Sequence, residues 1–76
     1  MRWSYFPYVV EIAVPERGFR GKRDAMYDFH TRLGITPHGR RRKNEDGRSY
    51  MRWRFASLTT AQKFARQFGG SLVTGR

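Results

Sequence analysis

The stretch "GRRRKNEDGRSYMRWRFAS", residues 39–57, decides how the rest of the chain is read. Its last part, "RSYMRWRF", alternates strictly: Ser49, Met51, Trp53 and Phe55 point one way, and Arg48, Tyr50, Arg52 and Arg54 the other. That period of two is the signature of a strand in a sheet covered on one side, with the apolar set inward. Trp53 and Phe55 are therefore expected in the core, whereas the arginines and Tyr50 line the opposite face. The preceding "NEDG" is turn chemistry, with Asp46-Gly47 favouring a tight hairpin. Ahead of it, "ITPHGRRRK" contains Pro37 and Gly39 and carries the cations of residues 40–43. Proline and a row of cations suit an edge strand, where both discourage pairing with another chain.

Working outward, "YVVEIAV", residues 8–14, places Tyr8, Val10, Ile12 and Val14 on one face and Val9, Glu11 and Ala13 on the other, again a strand. Pro7 and Pro15 bound it, because proline cannot donate to a ladder; Trp3 and Tyr5 would join the open face if the strand extended towards them. Met26, Phe29 and Leu33 recur at helical spacing ahead of Gly34, which predicts an amphipathic helix over residues 22–33 with a glycine C-cap. "LTTAQKFARQFGG" predicts a second helix, with Thr59 as N-cap, Gln62 completing a capping box, Ala61, Phe64, Ala65 and Phe68 buried, and Gly69-Gly70 ending it. "SLVT" closes the chain as a short strand. The resulting order, β-α-β-β-α-β over a single domain of residues 1–76, is that of the ferredoxin-like α+β sandwich, a split β-α-β with two helices on one face of a four-stranded antiparallel sheet.

Seventy-six residues leave room for one modest core, since a chain of this size buries only about 60% of its unfolded surface. Cysteine is absent, so neither disulfides nor thiolate-bound zinc supplement that core. Six Phe, four Tyr and two Trp supply the burial instead, each removing roughly 150–250 Å² from water. Glu11 interrupts the N-terminal apolar run and no small-residue cleavage site follows, so a signal peptide is not expected. No stretch approaches a membrane span, and a cytoplasmic protein is expected.

Sixteen Lys and Arg against six Asp and Glu give a net charge of +10, which opposes compaction and attracts polyanions. The excess is uneven, because no acidic residue follows Asp46. Arg40, Arg41, Arg42, Lys43, Arg48, Tyr50, Arg52 and Arg54 are the candidate nucleic-acid contacts: arginines pair phosphates bidentately, and an aromatic beside them stacks on bases. In element order and in "RSYMRWRF" the chain resembles the RNA-recognition motif, whose third strand reads K/R-G-F/Y-G/A-F-V-x-F/Y. Arg48, Tyr50 and Phe55 match; Ser49, Met51 and Arg52 depart, and the last stands where that family has a second exposed aromatic. The resemblance implies nucleic-acid contacts at Arg48 and Tyr50.

Other readings of the same face are structural. Glu11 is expected across from Arg52, an opposite-charge pair of neighbouring strands. Trp3, Tyr5, Val9 and Tyr50 together would form an apolar patch suited to a homodimer. His38, beside residues 40–43, is the one candidate for ribonuclease-like acid-base chemistry, but no complementary base is identifiable, with Glu45 and Asp46 assigned to the turn. His30 is read as a boundary residue of the first helix. Asp24 and Asp28 are read as local partners of Lys22, Arg23 and Arg32 and not as metal ligands. No metal or cofactor is expected.

Overall fold

Alternation along residues 49–55 becomes alternation of burial. In the computed structural model, which describes residues 3–74 and the side chains of 4–73, Met51, Trp53 and Phe55 are buried while Tyr50, Arg52 and Arg54 are only partly covered. The elements are β1 (Tyr8–Ala13), α1 (Gly21–Leu33), β2 (Gly39–Lys43), β3 (Ser49–Phe55), α2 (Leu58–Phe68) and β4 (Ser71–Thr74). They form an α+β arrangement of two helices and a four-stranded sheet in the order β2-β3-β1-β4, with every neighbouring pair antiparallel. The apolar strands are central, and the cationic β2 is an edge. Trp3–Tyr5 form a 3₁₀ turn, so β1 does not extend back to them: Pro7, without an N–H, stands at the strand's boundary.

Both helices pack on the face that carries Val10, Ile12, Met51, Trp53 and Phe55, and contribute Met26, Ala61, Phe64 and Phe68 to one cluster. The cluster is largely aromatic. Phe64 meets Phe55 and Phe68 at centroid distances of 5.0 and 4.7 Å, and Phe29 meets Phe64 edge-on at 5.1 Å. Such pairs contribute about 0.5–1.5 kcal/mol each beyond area burial. The Trp53 ring extends over β2 at Gly39, where a Cβ would stand 2.8 Å from it. Glycine is therefore required at that position by packing, even though β2 lies at the edge.

Helix α1 buries a stripe different from the expected one. Leu33 is 51% exposed, whereas His30, expected at the boundary, is 1% exposed. Imidazole is tolerated there because its Nδ1–H donates to the Met26 carbonyl one turn earlier, at 2.8 Å. The ring stacks on Phe55 at 5.3 Å and lies 5.2 Å from Trp53. Gly34 ends the helix in the left-handed region, as expected. In α2 the N-cap is Ser57 and not Thr59: Ser57 is extended, and its hydroxyl accepts the Thr60 N–H at 3.3 Å. The cap precedes the first helical residue, and the Leu-Thr-Thr run is already helical, so Gln62 has no capping role. Gly69 forms the C-cap.

The hairpin between β2 and β3 closes through Asn44 N–H to the Arg48 carbonyl at 2.9 Å and Gly47 N–H to the Asn44 carbonyl at 3.0 Å. Gly47 takes φ +81°. This is a type I turn followed by a left-handed bulge residue, a common hairpin connection whose last position favours glycine. Among the described residues, no helix is long and apolar enough to cross a membrane.

Candidate nucleic-acid interface

Register across the hairpin determines which cations meet. Residues directly opposite one another share a face, and β2 pairs with β3 as Gly39 with Trp53, Arg40 with Arg52, Arg41 with Met51, Arg42 with Tyr50 and Lys43 with Ser49. Arg40 and Arg42 thus join Tyr50, Arg52 and Arg54 on the open face, while Arg41 and Lys43 lie on the helix side. The cationic edge strand therefore gives two of its cations to the arginine face and two to the other, because β2 alternates like its neighbour. Its burial gives no sign of this, since all five residues are exposed.

Arg40, Arg42, Arg52 and Arg54 line one concavity of about 460 Å³ with Pro37, His38 and Gly39. Among the described residues, no carboxylate contributes to that lining. Arg40 stands directly opposite Arg52, and like charges in such a pair destabilise a sheet. The nearest compensation is Glu11, opposite Arg52 on the other side. Its Oε2 accepts the Arg52 Nε–H at 2.8 Å, with both side chains mostly covered. The expected Glu11–Arg52 pair is therefore present, and it fixes Arg52 in position while neutralising much of its charge. Arg54 donates to the Phe6 carbonyl at 3.5 Å, and its backbone N–H bonds to the His38 carbonyl.

The other candidates lie elsewhere. Arg48 precedes β3 and belongs to the turn: its N–H donates to Asp46 Oδ1 at 2.9 Å, and its side chain is 78% exposed, 3.9 Å from the same carboxylate. With Tyr50 and Arg41 it borders a different hollow beside Ala13 and Pro15. Arg41 also faces Arg20 and Arg23 across a smaller one. Val9, expected on the open face, is 2% exposed, flanked there by Arg54 and Val73. It adds no surface to the apolar patch, of which Tyr5 remains exposed and Trp3 has a side chain outside the described residues.

His38 packs against the Phe6 ring at 4.4 Å. Among the described residues, the hollows it borders are lined by arginines, hydroxyls and apolar groups. His30 has its pKa lowered from the ordinary 6.5, first by burial and also by the charge of His38, against the opposing effect of its bond to Met26. It is neutral in the core near pH 7. Asp28 pairs with Arg32 at 2.8 Å on the exposed side of α1. Among the described residues no group of three His, Cys, Asp or Glu is placed to hold a metal ion.

No protein-family model, curated protein or solved structure matches this chain.

Proposed function

We propose that this chain is a ferredoxin-like basic domain that binds nucleic acid, without catalysing a reaction on it, through the open face of its β2–β3 hairpin. Arg40, Arg42, Arg52 and Arg54 hold phosphates, and Tyr50 stands beside them as the one partly exposed aromatic on those two strands. The observation that carries this reading is the juxtaposition of Arg40 and Arg52 on adjacent strands, within a hollow whose lining, among the described residues, has four arginines and no carboxylate. Folding alone gains nothing from it. A polyanion converts the mutual repulsion into attraction, since guanidinium forks pair phosphate oxygens bidentately. Arg48, Arg41 and Lys43 contribute at longer range, through the field and not through contact in the hollow. Contacts to phosphates carry no base information, so little sequence preference follows.

The test is the salt dependence of binding to a short labelled single strand, followed by fluorescence anisotropy. With Arg52 partly neutralised, about three to four phosphates are engaged, and log K falls with log[salt] at a slope of roughly −2 to −3. Absence of binding up to about 100 µM strand at low salt, where even non-specific binders register, contradicts the proposal.

A further inference from the structure

Beside the arginine hollow lies a second cavity of different character. That cavity, of about 480 Å³, is bordered by Phe6, Ile35, His38, Arg54, Ser57 and Thr60 among others, and it shares His38 and Arg54 with the arginine hollow. Its walls are apolar and aromatic. The Phe6 and His38 rings meet at 4.4 Å with a 54° tilt, and Ile35 stays 37% exposed although its backbone is anchored to the His30 carbonyl. Two hydroxyls, Ser57 and Thr60, supply polar groups near the start of α2. The volume lies within the roughly 300–1,000 Å³ of small-molecule sites, which combine apolar walls with a few polar groups in this way.

An apolar, ring-walled cavity that shares His38 and Arg54 with a cationic groove fits a ligand with a flat, weakly polar part joined to an anion. We infer that it takes one unstacked nucleobase of the bound strand, with that nucleotide's phosphate on Arg54 and its neighbours' phosphates on Arg40 and Arg42. The inference rests on the nucleic-acid reading above and adds to it a preference for single strands, because a paired base is not available to enter. Arg54 is the hinge between the two halves: the Phe6 carbonyl holds its guanidinium at the boundary of groove and cavity.

The experiment compares a thymidine pentanucleotide with a pentamer of the same backbone lacking all bases, each titrated into the isotopically labelled full chain. The Ile35 and Thr60 methyls and the Arg40 and Arg42 amides are followed by NMR. The normal strand is expected to move all four and to bind about tenfold more tightly, in line with what one stacked base contributes. The abasic strand moves the arginine amides alone. Thr60→Trp, which fills the cavity from α2 while leaving Arg40 and Arg42 in place, is expected to reduce the normal strand's affinity to that of the abasic one. Unchanged Val10 and Met51 methyl shifts certify its fold; if it does not fold, the two-ligand comparison in the natural chain decides. Equal affinities, with arginine amides moving and the Ile35 and Thr60 methyls still, overturn the base cavity and leave the phosphate reading intact. No response to either strand overturns both. A medium-chain fatty-acid anion that moves the two methyls when the strands do not also overturns the inference, in favour of an acyl occupant.

Discussion

The two faces of β3 are made from alternate residues of one seven-residue strand, yet they are built on opposite principles. On the helix side Met51, Trp53 and Phe55 are 0–5% exposed and sit among partners on both helices. On the open side Arg52 and Arg54 lie beside Arg40 and Arg42, with Glu11 paired to Arg52. The first face consists of contacts that stabilise each other. The second contains a directly opposed pair of like charges, which weakens the sheet. A small domain with few residues to distribute can hold such a conflict only if its covered face supplies the stability, and this defines how to separate the roles of the two.

The largest effect is expected on the covered face. Trp53→Ala removes the largest of the fully buried side chains and costs about 3–5 kcal/mol, enough to unfold a domain of marginal stability. Chemical denaturation of this variant checks it. A second expectation concerns His30. Its folded-state pKa lies below the ordinary 6.5, so the unfolded chain takes up the proton first. Stability is complete above pH 6.5 and declines as the pH falls from there towards the depressed folded value. His30→Leu should flatten the urea midpoint between about pH 7 and pH 5; a midpoint in the natural chain that does not fall over that interval contradicts the assignment. The smallest effect, and of opposite sign, belongs to the open face: Arg40→Thr relieves the repulsion with Arg52 and should raise stability by roughly 0.2–1 kcal/mol while weakening strand binding. A loss of stability on that substitution removes the argument that the pair is maintained for a ligand.

Sequence alone was enough for the core half of this comparison. Strict alternation in residues 49–55 assigns Trp53 and Phe55, the Glu11–Arg52 pair follows from two central strands, and Gly34 and Gly69 mark both helix ends. The arginine hollow was only half legible. Residues 40–43 are all cationic, so they contain no apolar alternation from which their facing is read; it depends on the register set by the Asn44–Gly47 turn and its left-handed Gly47. Arg48 shows the same limit, since it keeps the parity of the open face but falls within the turn. His30 was missed for a different reason. It lies at helical spacing from Met26, and only the bond from its ring to the Met26 carbonyl makes a histidine preferable to Leu33 in the buried stripe. The apolar cavity joins Phe6, Ile35 and Thr60, residues too far apart in the chain for spacing to relate them.

The most direct test of the division between faces uses two double variants of identical charge change on one strand. Arg40→Glu with Arg42→Glu reverses the open side of β2, and Arg41→Glu with Lys43→Glu reverses the helix side. Both lower the net charge equally, so a non-specific attraction of the whole molecule responds alike. Strand affinity at fixed salt is expected to fall more than about thirtyfold in the first variant, where contacts are lost, and only severalfold in the second, where the long-range field alone is weakened. Equal losses in the two contradict a binding face and leave net charge as the whole of the attraction.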